Sequence, residues 1–184
     1  MVRLYTEFCN FLQKPAYYKI KTFMLTFEEL YVAYSPDVYR FACWLAGNTH
    51  DAEDITAETF TRAWMNFATI RTETLKAYLF TIARNIYLES LRKHKTQEKL
   101  TDSLSDSYTA MEKTLETRSE LDQIRATLLT LAEIDRSAFV MRVQYDLPYI
   151  EIARVLQLSE GAVKVKVHRV RKLLFEMYSK KEMP

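Results

Sequence analysis

Two glycines and four prolines in 184 residues leave this chain few ways to turn sharply. Tight hairpins need residues that tolerate positive φ or fix φ in advance, so a sheet-rich domain of this length would carry many more. Long helices joined by short turns need almost none, and the chain is expected to be all-α. With 48% hydrophobic and 27% charged residues it can bury a core, which argues against disorder. Its length suits one ordinary domain or two small ones. The net charge of +2 is too small for wholesale coating of nucleic acid, so the placement of the charges carries the information.

Cys9 and Cys43 are far apart and fit no CxxC or Cys/His spacing, and His50, His94 and His168 are scattered singly. They read as reduced thiols and isolated imidazoles of a cytoplasmic protein, with no metal and no cofactor expected. No apolar run approaches the roughly 18–20 residues that span a bilayer, so no membrane insertion is expected. Residues 1–23 are aromatic and basic, but Lys14, Pro15, Lys19 and Lys21 interrupt any signal-peptide core. Met24 stands directly before the first well-patterned helix, so residues 1–23 are read as a dispensable extension or the product of an upstream start.

Helical periodicity begins at Thr26. Phe27, Leu30, Tyr31 and Tyr34 share a face; Pro36 is expected to interrupt it, and Val38, Phe41, Ala42 and Leu45 resume it. Gly47-Asn48 is a stop, with Thr49 the expected N-cap of the next helix. That helix, about Asp51 to Phe67, turns Ala52, Ile55, Phe60, Ala63, Trp64 and Phe67 inward. After a polar loop near Ala68–Thr74, a long helix runs to about Lys95 with Leu75, Tyr78, Leu79, Ile82 and Ile86 inward. Residues 96–117 are rich in Thr, Ser, Asp, Glu and Lys and read as a linker. A second helical unit, 118–184, starts with a stripe of Leu121, Ile124, Leu128 and Leu131, followed by a helix carrying Phe139, Val140 and Val143.

Residues 148 to about 175 read as helix, turn, helix. Pro148 suits a first helical turn; Ile152, Ala153 and Leu156 face inward, Leu158 plugs the turn, and Ser159 is an N-cap. The second helix carries Lys164, Lys166, Arg169, Arg171 and Lys172 against only Glu160 and Glu176, with Val163, Val167, Val170, Leu173 and Leu174 inward. Such a helix suits the major groove, its early side chains meeting base edges and later cations holding phosphates. A basic helix can equally be a solvated surface face; the register of Pro148, Ala153, the turn and Ser159 favours DNA.

These residues, Leu131 through Leu174 with Tyr149-x-Glu151-Ile152-Ala153, Leu158-Ser159-x-Gly161-x-Val163-Lys164 and Arg169-x-Arg171, resemble region 4 of the sigma-70 family, in its extracytoplasmic-function (ECF) group. Alone they also fit a LuxR-like output domain. The first unit decides between them. Asp51-Ala52-Glu53-Asp54-Ile55, Glu58-Thr59-Phe60 and Arg62-Ala63-Trp64 resemble region 2.2. Tyr78-Leu79-Phe80-x-Ile82-Ala83-Arg84-Asn85 and Leu91-Arg92 resemble regions 2.3 and 2.4. Three positions depart from the family pattern: Ala57 for glutamine, Gln157 for the turn glycine, and Ala162 for threonine.

The resemblance implies two helical domains, region 2 in 24–95 and region 4 in 118–184. It implies a sigma factor that binds core RNA polymerase at the clamp helices of the largest subunit and helps open the −10 element. Asp51, Asp54 and Glu58 fall at i, i+3 and i+7, an acidic stripe suited to a basic partner; with Glu53 and Arg62 they are the expected polymerase contacts. Early acids also serve the helix dipole. Tyr78, Arg84, Asn85, Tyr87, Arg92 and Lys93 mix aromatic rings with cations, which suits single-stranded −10 DNA. Tyr78 shares a face with core residues, so Arg84 and Asn85 are favoured, and the 68–74 loop is expected to tune −10 preference. On the second helix Ser159, Lys164, Val165, Lys166, His168, Arg169, Arg171 and Lys172 are the expected −35 contacts. Val165, Lys166, His168 and Arg169 would read bases, and Lys164, Arg171 and Lys172 would hold phosphates. The family also implies an anti-sigma partner.

No Gly-rich nucleotide loop and no nucleophile–base constellation is evident, so no catalysis is expected. Two other readings stay open on the residues alone: a helix-turn-helix regulator that acts without polymerase, and a helical adaptor whose basic helix meets an acidic protein.

Overall fold

The structure is a computed structural model that describes residues 26–67, 75–100 and 120–179, without the side chains of 94–100, 120–122 and 178. The expected extension 1–23, the 68–74 loop and most of the 96–117 linker lie outside these residues. Seven helices follow in order among them: α1 Phe27–Ala46, α2 Thr49–Met65, α3 Leu75–Leu100, α4 Glu120–Thr130, α5 Glu133–Val143, α6 Tyr149–Leu156 and α7 Glu160–Ser179. None of the described helices is long and apolar enough to cross a membrane.

Local chemistry sets the boundaries. At the start of α1, the Glu29 amide donates to Thr26 Oγ1 at 3.2 Å and the Thr26 amide donates to Glu29 Oε2 at 2.8 Å, a reciprocal capping box. The helix ends at Gly47, whose φ of 80° is left-handed and whose N–H reaches the Cys43 carbonyl at 3.0 Å. Pro36 lies inside α1 without breaking it. The carbonyl that a helical proline displaces belongs to the residue four back, Val32, which is 69% exposed, so water can satisfy it. The cap of α2 is Asn48 rather than the expected Thr49: Asn48 has extended dihedrals and its side chain accepts the Asp51 amide at 2.8 Å. The third helix outlasts its expected end, running to Leu100.

The turn between α6 and α7 is strained at Gln157, which stands in place of the family's turn glycine. This residue has φ 56° and ψ 45°, a left-handed geometry that glycine adopts freely and a side chain resists. Its N–H reaches the Arg154 carbonyl at 3.3 Å and the Leu158 N–H reaches Ala153 at 3.0 Å, a Schellman motif that satisfies two terminal carbonyls.

Helix α1 packs on α2 and α3, and α5 packs on α6 and α7; the two groups then meet, α1 against α5 and α3 against α6. One apolar cluster runs through both, from Leu30, Phe41 and Phe80 to Leu128, Ile152 and Val163. At the seam Phe41 and Phe80 stack with centroids 4.4 Å apart, and Tyr145 meets Phe80 edge-on at 4.7 Å. Such pairs add about 0.5–1.5 kcal/mol beyond their buried area. The Tyr145 hydroxyl donates to the Asp37 carbonyl at 3.1 Å, and Trp44 Nε1 donates to Gln144 Oε1 at 2.7 Å.

Arg136 is buried at this seam, where it donates to the carbonyls of Leu45 (3.0 Å), Leu129 (3.1 Å) and Leu131 (3.3 Å). Its Nε has no hydrogen-bond partner among the described residues. Arg136→Met should cost about 3 kcal/mol, because those acceptors lose a charged donor in a site closed to water; urea unfolding followed by circular dichroism measures it. Gln157→Gly should raise stability by roughly 0.5–1 kcal/mol through relief of the left-handed strain, net of glycine's extra chain entropy.

Candidate DNA and polymerase interfaces

The second helix of the helix-turn-helix is held by three buried valines. Val163, Val167 and Val170 are 0–1% exposed at i, i+4 and i+7, so the opposite side of α7 faces solvent. Ser159 caps it, its Oγ accepting the Ala162 amide at 3.2 Å. Val165, His168, Arg169 and Lys172 are exposed at i, i+3, i+4 and i+7 and so form one outward face. Lys164 and Arg171 flank it on one side and Lys166 on the other.

The cations of α7 differ in what engages them. Lys164 pairs with Glu160 at 2.7 Å and stands 5.6 Å over the Tyr149 ring, while Lys172 lies 3.7 Å from Glu176. These pairs are well exposed and exchange easily with other anions. Lys166 is different: it is half-buried and donates to Asp135 on α5 at 3.1 Å. His168, Arg169 and Arg171 make no ion pair among the described residues.

The −10 candidates lie on α3 and divide similarly. Asn85, Arg92 and Lys93 are exposed, Tyr78 is half-buried, and Arg84 and Tyr87 are buried. Burial raises the Tyr78 hydroxyl pKa. Arg84 is buried because Glu133 at the start of α5 receives it in a two-point contact, Nε at 2.8 Å and Nη2 at 3.0 Å. Ser137 donates to the same carboxylate at 2.7 Å.

On α2, Asp51, Glu53, Asp54 and Glu58 are all exposed. The acidic stripe is partly neutralised by its own neighbours. Arg62 binds Glu58 at 2.7 Å and reaches Glu89 of α3 at 3.0 and 3.2 Å, so it clips two helices together. Arg62 in turn pulls the Glu89 carboxyl below the usual carboxylate range. Asp54 lies 3.5 Å from His50. Glu53 falls on the other side of the helix, at an open groove of about 390 Å³ lined also by Tyr31, Ser35, Pro36, Tyr39, Thr56 and Ala57. The sequence reading missed the walls of this groove, since Tyr31 and Tyr39 on α1 carry no signal of what α2 brings beside them. It also placed Trp64 inward; the ring is 61% exposed and covers Phe27 edge-on at 4.7 Å.

Glu151 on α6 is partly buried, and burial holds its carboxyl above the usual range against the opposing pull of Arg154. The folded chain therefore keeps a proton that the unfolded chain has released, so stability falls as pH rises through this window. Glu151→Gln should raise the melting midpoint near neutral pH, with the gain vanishing once pH falls below the ordinary glutamate pKa; a pH series of thermal melts tests this.

Residues 30–97 match the family model of sigma-70 region 2, and residues 121–174 match that of sigma-70 region 4. The chain is similar to the ECF RNA polymerase sigma factor SigM of Bacillus subtilis, 29% identical over 85% of this chain and 97% of that one. It is also similar to SigL of Mycobacterium tuberculosis, 30% identical over 76% of this chain and 81% of that one. Among solved structures, the sigma factor RpoE of Bartonella quintana in complex with the anti-sigma factor NepR superposes with a TM-score of 0.71 and 25% identity, over 83% of this chain and 96% of that one. With both helical units matched in order and relatives similar along most of their length, the chain belongs to the ECF group of the sigma-70 family of RNA polymerase sigma factors.

Proposed function

We propose that this sigma factor carries core RNA polymerase to its promoters, with α2 docking on the clamp helices, α3 engaging and helping to open the −10 element, and α7 reading the −35 element. Region 2 then corresponds to residues 24–95 and region 4 to 118–184. The observation that carries the reading is α7: three buried valines fix the helix, and Val165, His168, Arg169 and Lys172 stand on its free face. That free face is the one that would enter the groove, its side chains meeting base edges while the cation nearest its C-terminal end meets the backbone. Arg169 is the cation of that face best placed to pair with a guanine edge.

The exposed acids Asp51, Glu53, Asp54 and Glu58 suit a basic polymerase helix, which they would steer and orient more than hold. Arg62 acts there by fixing α2 against α3 through Glu89. Phosphodiester formation belongs to the polymerase. An anti-sigma protein would act by covering the docking surface; a co-purifying inhibitor supports such a partner, and full constitutive activity in cells counts against it.

The test is reconstitution. Purified chain, core polymerase and promoter DNA should give promoter-specific initiation. DNA binding without transcription would indicate a regulator that works alone, and neither activity would indicate an adaptor. Within the active complex, Arg169→Ala should change which −35 sequences are used. Lys172→Ala should weaken all promoters alike and reduce the salt slope by about 0.9, the value of one duplex phosphate contact. Equal effects of both substitutions on every promoter would overturn this division.

A further inference from the structure

Two of the expected DNA-binding cations, one from each domain, end on the same turn of the same helix. Arg84 from α3 meets Glu133, and Lys166 from α7 meets Asp135; both acids lie in the first turn of α5. These contacts are unlike the other lysine pairs of α7. The Arg84–Glu133 side chains are 11% and 14% exposed and the Lys166–Asp135 side chains 21% and 15%, against 55% and 46% for Lys164–Glu160. A shielded pair is screened little by salt and exchanges poorly with outside anions.

The geometry is that of phosphate recognition turned inward. A guanidinium that presents two N–H groups to a carboxylate presents the same fork to a phosphate. Ser137 holds the Glu133 carboxylate in place from one turn further along α5. The helix dipole offers a second reason for acids at this end, yet it demands neither a bidentate arginine from 49 residues away nor a lysine from 31 residues away.

We infer that Glu133 and Asp135 act as an internal phosphate mimic, withholding Arg84 and Lys166 from the phosphates of any DNA that the free protein binds. The inference rests on the proposed DNA-binding roles of α3 and α7. It predicts that the free protein underuses its own cations. Removing either carboxylate gives back one phosphate contact, each on its own kind of DNA; on a duplex of generic sequence Lys166, expected to read a base at a promoter, takes a phosphate instead.

Salt dependence of binding counts such contacts: the slope of log K against log salt changes by about 0.9 per phosphate on a duplex and about 0.7 on a single strand. Fluorescence anisotropy with a short generic duplex and a short oligo-dT strand therefore separates the two acids. Asp135→Asn should steepen the duplex slope by about 0.9, and Glu133→Gln should steepen the oligo-dT slope by about 0.7. Glu28→Gln, which removes one exposed charge elsewhere, should steepen neither. In an Arg84→Gln background, Glu133→Gln should have no further effect. Unchanged slopes, an equal response to Glu28→Gln, or an effect of Glu133→Gln that persists without Arg84 would each overturn the mimic. Should Glu133→Gln fail to fold, Glu133→Asp keeps the charge while shortening its reach and should steepen the slope by less; a wild-type slope in that folded variant overturns the mimic as well. A wild-type protein whose binding to both probes ignores salt would overturn the DNA reading itself, an outcome distinct from wild-type binding that the substitutions leave unmoved.

Discussion

A single guanidinium sits where two helices end. The last turn of α1 leaves the Leu45 carbonyl without a helical partner, and the last turn of α4 does the same for Leu129; Arg136 reaches both, and Leu131 besides. Helix C-termini carry partial negative charge, so two of them converging on one buried cation stabilise it where water cannot. Remove the cation and those carbonyls lose their donor, the Leu45 carbonyl in a buried contact. This contact ties the two domains together, because α4 and α5 belong to one domain and α1 to the other.

Everything at the seam follows from that placement. With α5 pinned to the end of α1, Tyr145 falls against the Phe41–Phe80 stack and Gln144 falls beside Trp44. The first turn of α5 then lies within reach of α3, which brings Glu133 to Arg84. Burial of a residue expected on a DNA surface is thus a consequence of domain packing. It says nothing against that residue's chemistry, since the same bidentate fork serves carboxylate and phosphate alike.

Much of the architecture was legible in the residues because it is set locally. The scarcity of glycine announced helices; Gly47 marked a stop and Ser159 a start. The inward valines of α7 follow from spacing alone. Errors came where the environment of a residue overrode its type. Pro36 stayed within α1, where the residue four back, Val32, is largely exposed. Asn48 took the cap ahead of Thr49 because its dihedrals are extended while Thr49 is already helical. Trp64 meets Phe27 edge-on and leaves most of its ring outside.

The helix-turn-helix and the acidic face of α2 were written in the sequence, because one helix presents its residues at a fixed angular spacing. Family motifs could attach to that spacing directly. What only the tertiary structure decided is which of those side chains are free. Arg84 and Asn85 are neighbours on one helix, yet Arg84 is engaged and Asn85 is exposed. Lys166 and Lys164 are two residues apart, yet one is tied to a distant helix and the other to its own turn. Those outcomes depend on acids 49 and 31 residues away, brought in by packing that no local pattern encodes.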